Sequence, residues 1–266
     1  MRRTIHSFAL ASCVGLAACA GGTKHDAVRV ILVGDSTMAT VTGYGDALCA
    51  RLDARTDCEN LARNGRSSKS YRVEGFWEHV TGRLHEGGAR TFVLIQFGHN
   101  DQPGKAERST TLAEFQANMR RYVDEVRAAG AEPVLVTPLT RRAFKNGQLV
   151  DDLAPWAEAT RAVAAASHTA LLDLNADSRR AVTAMGAVQA VALAELPAPA
   201  AALAAAATGT TIDVQKPPPA LHGGHVSAFD YTHLGAAGAA LFSALVADEI
   251  RRSVPALAAH LSEANR

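Results

Sequence analysis

The chain has 266 residues, 48% of them hydrophobic, which is enough for one domain with a sizeable core. Its 27 Lys and Arg against 26 Asp and Glu leave a net charge of +1, so nothing at whole-chain level points to nucleic acid as a partner. Past the N-terminus no apolar run is long enough to span a bilayer.

Residues 1–19 read as a secretory leader. Arg2 and Arg3 precede a short apolar run from Phe8 to Ala18 with small residues at its end, too short and wrongly flanked for a transmembrane helix. The end of this leader, Leu16-Ala17-Ala18-Cys19, resembles a bacterial lipoprotein box. That resemblance implies cleavage before Cys19 and its lipidation, with acyl chains holding the protein to a membrane surface. Ala20 and Gly21 follow with no Asp at the second position, which in such proteins favours the outer membrane of a Gram-negative cell. A soluble leader cut after Ala18 or Ala20 implies a periplasmic or secreted protein instead. On either reading the mature domain, 20–266, is exported. Cysteine usage agrees: with Cys13 removed and Cys19 lipidated, Cys49 and Cys58 remain. An even pair in an oxidising compartment reads as one disulfide, with two free buried thiols as the alternative.

Beyond the leader, strand-like and helix-like stretches alternate. Residues 28–33 are apolar and β-branched and predict a strand; 45–54 suit a helix, and 59–62 a short strand. A helix over 75–85 precedes the strongly buried strand 91–97, TFVLIQF, and a long helix over 111–129. Strand 133–137, helix 155–167, strand 170–174 and a closing amphipathic helix over 235–252 complete the series. This order predicts an α/β fold, a parallel sheet covered on both faces, with functional residues at the carboxyl ends of its strands where strand order reverses. Residues 181–219 interrupt the rhythm, being Ala-rich and then Pro-rich, and read as an insertion. Alanine favours helix there, but the proline cluster lacks backbone donors and cannot continue one.

Four short motifs fall at strand ends or before the last helix: Gly34-Asp35-Ser36, Asn64-Gly65-Arg66-Ser67, Gly98-His99-Asn100-Asp101 and Asp230-Tyr231-Thr232-His233. Singly, each has a structural explanation: Asp35 or Ser36 suits a helix cap, and Asn64-Gly65 suits a turn. Together they supply what acyl transfer requires. A serine hydroxyl is a weak nucleophile and needs a base, which His233 provides. An acid three residues earlier, Asp230, fixes the tautomer of that base. The backbone N–H groups of Ser36 and Gly65 and the side-chain amide of Asn100 would bind an oxyanion.

The GDS, NG, GHND and DYTH order resembles the SGNH branch of the GDSL hydrolases, and the fuller strings GDSTM, ARNGRSSKSY, QFGHNDQ and DYTH resemble its rhamnogalacturonan acetylesterase group. The resemblance spans Gly34 to His233. It implies a flavodoxin-like three-layer α/β/α fold with a five-stranded parallel sheet, and a serine esterase acting on an acetylated pectic polysaccharide without a cofactor. It also implies Ser36, Asp230 and His233 as the catalytic triad, with Ser36, Gly65 and Asn100 as the oxyanion donors. The segment before Asp230 departs from the pattern and bears on substrate choice. Arg63, Arg66, Lys69 and Arg72 around the second motif, and Arg141 and Arg142 after the fourth strand, are candidates for uronate carboxylates, since arginine pairs with carboxylates through two parallel bonds. A metal-dependent alternative would use His222 and His225 with Asp230 and His233. Acetylesterases for other glycans, lipases and thioesterases of the same superfamily are the alternatives within enzymes.

Overall fold

The computed structural model describes residues 27–214 and 226–262. The leader with Cys19, the proline cluster, and His222 and His225 of the metal-dependent alternative lie outside the described residues.

The elements run β1 (Val28–Gly34), α1 (Gly45–Cys49), β2 (Thr56–Asn60), α2 (Ser70–Val73), α3 (Phe76–His85), β3 (Arg90–Gln96), α4 (Leu112–Ala128) and β4 (Glu132–Val136). A two-stranded hairpin, β5 (Phe144–Lys145) and β6 (Gln148–Leu149), precedes α5 (Ala154–Ala166), β7 (Ala170–Leu172), α6 (Leu174–Ala190), α7 (Ala200–Ala207), α8 (Ala236–Ser253) and α9 (Pro255–Ala258). The main sheet has the order β2-β1-β3-β4-β7, and every neighbouring pair is parallel.

Side-chain alternation along the central strands builds the three layers. Val30, Leu32, Leu94 and Val136 face a core shared with Leu48 of α1, Val182 of α6 and Phe242, Val246 and Ile250 of α8. Ile31, Val33, Val93, Ile95 and Leu135 face the opposite core with Val80 of α3, Phe115 and Val123 of α4 and Val163 of α5. Central strands buried on both faces carry continuous apolar runs, which is why 28–33 and 91–97 stood out in the sequence. Among the described residues no helix is long and apolar enough to cross a membrane.

Two boundaries differ from expectation. Strand β2 lies three residues before the predicted 59–62 because, as an edge strand, it is half-exposed along its length and carries no apolar run; hydropathy instead marks Leu61 and Ala62, which follow it. The helix expected over 45–54 stops at Cys49, where the chain turns through Asp53, whose carboxylate accepts the Arg55 N–H at 3.0 Å. Cys49 and Cys58 form a disulfide across that turn, tying α1 to β2. With a sequence separation of 9, breaking it is expected to cost roughly 2.5 kcal/mol of stability by release of loop-closure entropy. Urea unfolding of Cys49→Ala/Cys58→Ala beside wild type checks this, with kcat expected to be unchanged; equal unfolding midpoints would refute it.

The segment 181–219 is packed over its described part. Helix α6, capped by Asp173, passes through 181 to Ala190 with a break at Gly186. Val182, Ala190, Leu193, Ala202 and Ala206 are buried. The strand order reverses between β1 and β3, which have β2 on one side and β4 on the other. That reversal opens the crevice at the carboxyl ends of β1 and β3.

Candidate active site

The turn leaving β1 assigns different tasks to Asp35 and Ser36. Asp35 is the capping residue: its carboxylate accepts the Thr37 N–H at 2.9 Å and the Thr37 hydroxyl at 2.8 Å, and its carbonyl accepts the N–H groups of Met38 and Ala39. Ser36 is thereby left for other work. Its Oγ lies 2.9 Å from His233 Nε2, and His233 Nδ1 lies 2.7 Å from Asp230 Oδ2. The other Asp230 oxygen accepts the N–H groups of Thr232 at 2.8 Å and His233 at 2.7 Å. Both carboxylate oxygens are therefore engaged, one on the loop backbone and one on the imidazole. Burial opposes ionisation of Asp230, but the hydrogen bond and charge of His233 and the two N–H donors outweigh it and hold the carboxyl well below the usual range. An ionised Asp230 accepts the Nδ1 proton, which leaves the Nε2 lone pair facing the Ser36 hydroxyl.

Three strand-end loops meet beside this relay. Arg63 N donates to Gly34 O at 2.9 Å, and Thr42 Oγ1 donates to Ser36 O at 2.7 Å and lies 2.9 Å from Asn64 Oδ1. Asn100 Nδ2 donates to Arg66 O at 3.0 Å. Gly65 adopts φ 75°, a conformation that favours glycine, and so turns the loop after β2 under Asn100. The expected oxyanion donors, Ser36, Gly65 and Asn100, thus stand on loops bonded directly to one another.

The six cationic candidates separate by environment. Arg63 is exposed, with its guanidinium 5.6 Å from the centre of the Phe76 ring. Arg141 lies at the rim beside the triad loop, where Nε donates to Thr232 Oγ1 at 3.2 Å and the guanidinium pairs with Asp152. Arg66 pairs with Glu74 and donates to Asn64 O at 2.8 Å. The other three do not offer their charge to a ligand. Lys69 Nζ donates to the carbonyls of Ala106 and Ser109 at 2.7 and 3.0 Å. Arg72 pairs with Glu125 at 2.7 Å and stacks on Trp77 and Tyr122. Arg142 is fully buried, and its guanidinium donates to the carbonyls of Asp230 and Thr232, both at 3.2 Å, and of His233 at 2.7 Å. Its own N–H bonds Tyr231 O at 2.8 Å, so one residue collects four consecutive carbonyls of the triad loop. Burial pushes the Arg142 guanidinium down to about 10, with the Asp230 charge opposing, and it stays protonated at neutral pH.

Residues 32–241 match the model of the GDSL-like lipase/acylhydrolase family. The chain belongs to that family. It is 31% identical over 160 residues to the rhamnogalacturonan acetylesterase RhgT of Bacillus subtilis strain 168, a match covering 57% of this chain and 67% of that protein. Among solved structures, YxiM of Bacillus subtilis superposes with a TM-score of 0.62 at 23% identity, covering 84% of this chain and 56% of that one. Axe2, an acetylxylan esterase from Geobacillus stearothermophilus, superposes with a TM-score of 0.58 at 16% identity, covering 84% of this chain and 93% of that one. Both likenesses bear on the fold, which is the three-layer SGNH arrangement. Family membership makes the chain a serine esterase.

In this GDSL hydrolase the turn that carries Ser36 rests on a buried polar network that the sequence motifs do not reveal. Tyr44 donates to Gln96 Oε1 at 2.8 Å, Gln96 Nε2 to Thr37 Oγ1 at 2.7 Å, and Thr37 to Asp35. His99 Nδ1 stands 3.3 Å from the second Asp35 oxygen. Burial alone would raise the Asp35 pKa, but His99 and the Thr37 donors bring it below the usual range. Asp101, the last residue of the third motif, is structural: it accepts Ser68 Oγ at 2.5 Å, the Ser68 N–H and Thr110 Oγ1 at 3.1 Å. Burial, with a further contribution from the Asp35 charge, pushes its carboxyl up to about 6 against these donors. The one signal in the sequence was the polar composition of the apolar strand's exit; which partner each group takes depends on long-range packing.

The segment 191–195 falls within the expected insertion, and it backs the loop that carries Asp230 and His233. Glu195 N donates to His233 O at 3.3 Å and Gly235 N to Leu193 O at 3.0 Å. A Cβ on Gly235 would stand 2.5 Å from Ala194 O, so close approach of the two backbones requires glycine there.

The depressed pKa of Asp230 sets the expected acid limb. Asp230, held ionised well below the usual carboxylate range, takes up no second proton on that limb. kcat/KM is expected to drop by about tenfold per pH unit on that limb. A limb falling with two protonations would show that Asp230 titrates with its partner.

Proposed function

We propose that the chain is a carbohydrate acetylesterase that removes O-acetyl groups from acetylated rhamnogalacturonan. The observation that carries the chemistry is the Asp230–His233–Ser36 relay, with contacts of 2.7 and 2.9 Å. Ser36 Oγ attacks the acetyl carbonyl while His233 Nε2 takes its proton, and the charge that develops on the carbonyl oxygen is held by Ser36 N–H, Gly65 N–H and Asn100 Nδ2. Collapse of this intermediate breaks the bond to the sugar oxygen, which leaves with the proton from His233. Water, deprotonated by the same imidazole, then cleaves acetyl-Ser36 and releases acetate.

The pectic substrate is supported by the 31% identity to RhgT and by the exposed Arg63, whose backbone bonds the turn that carries Ser36. Arg63 is the candidate for a uronate carboxylate, with Arg141 at the rim next to Thr232. Export to an oxidising compartment is part of the same reading and is supported by the Cys49–Cys58 disulfide, and attachment of lipid at Cys19 belongs to that reading through the lipoprotein-box resemblance alone.

Acetate release from acetylated rhamnogalacturonan, acetylated xylan and a long-chain p-nitrophenyl ester tests the substrate. Turnover of the pectic polymer above the other two is expected. Preference for xylan would keep the chemistry and overturn the glycan; preference for the long-chain ester would overturn the carbohydrate class.

A further inference from the structure

The third-motif loop carries a cation whose position relates to neither the triad nor the exposed surface. Arg108 Nη1 donates to Gly65 O at 2.9 Å and to Asn100 Oδ1 at 3.2 Å. A single guanidinium nitrogen thus joins the two residues that, with Ser36, are assigned to the oxyanion. We propose that Arg108 is the positioning residue of the oxyanion site, holding Gly65 and Asn100 in register and setting which way the Asn100 amide points. This inference rests on the oxyanion assignment of the preceding section.

The amide orientation follows from hydrogen-bond chemistry. A guanidinium only donates, so the Asn100 atom facing Arg108 must be the carbonyl oxygen; a backbone carbonyl only accepts, so the atom facing Arg66 O at 3.0 Å must be the nitrogen. Arg66 O takes one of the two amide protons and leaves the other for the substrate. Without Arg108, only Arg66 O distinguishes the two ends of the amide, and a flipped amide would present an oxygen to a developing oxyanion. The guanidinium also draws electron density through Oδ1, which strengthens the remaining N–H as a donor. The same nitrogen ties the peptide following Gly65, whose φ of 75° sets the turn that presents its N–H.

The loop is built to place this side chain. Lys69 Nζ bonds the carbonyls of Ala106 and Ser109 on either side of it, Ser109 Oγ donates to Gln102 O at 2.9 Å, and Thr110 N donates to Asp101 O at 2.9 Å. The Arg108 side chain is 22% exposed, and its Nε lies 3.8 Å from Glu107, which is itself largely exposed. Lys69, expected at the substrate, therefore serves the site indirectly by fixing the loop that carries Arg108.

A positioning residue that acts through the oxyanion donors must lower kcat rather than raise KM, and part of its effect must pass through Asn100. The test is a double-mutant cycle on p-nitrophenyl acetate with Arg108→Gln, Asn100→Ala and the double variant. Asn100→Ala is expected to lower kcat by about a hundred- to a thousandfold, and Arg108→Gln by about ten- to a hundredfold with KM changed less than about twofold. In the Asn100→Ala background, Arg108→Gln is expected to cost clearly less than in wild type, because the amide it orients is gone and only its bond to Gly65 O remains to be lost. Arg108→Lys keeps the charge and a donor and is expected to recover most of the kcat lost in Arg108→Gln; Arg108→Met, which has no donor, replaces Arg108→Gln in the cycle should that variant fail to fold. Equal costs in both backgrounds, or a loss confined to KM, would overturn the proposal while the oxyanion assignment stands. A loss of less than about tenfold in Asn100→Ala alone would overturn both.

Discussion

Replacing Ser36 with alanine is expected to lower kcat for acetyl ester hydrolysis by roughly a millionfold, with the melting temperature within about two degrees of wild type. The size follows from the loss of a unit: His233 Nε2, 2.9 Å from the Ser36 hydroxyl, has no proton to take once that oxygen is gone, and Asp230 then orients an idle base. The stability should hold because the turn is built by Asp35 and by backbone bonds from Met38 and Ala39, not by the Ser36 side chain. Activity above the uncatalysed rate is expected to survive, since oxyanion donors and binding alone contribute about a thousand- to ten-thousandfold. Acetate release under single-turnover conditions measures it, and a loss smaller than about tenfold would remove Ser36 from the mechanism.

Arg142→Met is expected to cost about 3–5 kcal/mol of folding stability and to abolish activity together with it. The side chain is wholly buried beneath the loop that carries Asp230 and His233, and the substitution strands the carbonyls of Asp230 and Thr232 and leaves His233 O with the Glu195 N–H. The loop carries both the acid and the base of the relay, so a structural loss there is felt at Ser36. Arg142→Lys keeps the charge but not the planar fork that reaches three carbonyls, and an intermediate loss is expected. Urea unfolding monitored by circular dichroism gives the change directly: a lowered midpoint with an unchanged slope is expected, and a shift of less than about 1 kcal/mol would show that the loop does not depend on Arg142.

Arg142, a candidate for a uronate carboxylate by sequence and a buried donor in the fold, shows where sequence stops being informative. Two consecutive arginines after a strand look solvated, and side-chain hydropathy carries no record of four backbone carbonyls turning inward at one place. Arg141, its neighbour, does lie at the rim, so the pair divides by a single step along the chain. The central strands were legible because burial on both faces leaves continuous apolar runs, whereas β2 was displaced by three residues because an edge strand leaves no such run. The residues of the Ser36–His233–Asp230 relay were legible as types in order, since each is chemically unusual at a strand end. The Tyr44–Gln96–Thr37–Asp35 network was not legible, because its members join only when β1, β3 and the intervening turn are folded against one another. The alanine-rich stretch was legible as helix-forming, but its backbone contacts to Leu234 and Gly235 are set by close approach and leave no compositional trace.

The most direct test of the central claim is covalent trapping of the nucleophile. Incubation with a fluorophosphonate ester, proteolysis and mass spectrometry are expected to place the phosphonyl group on the peptide containing Ser36, with labelling lost in Ser36→Ala and slowed strongly in His233→Ala. A label on any other residue, or undiminished labelling of Ser36→Ala by the same reagent, would contradict the assignment of Ser36 as the group that carries the acyl intermediate.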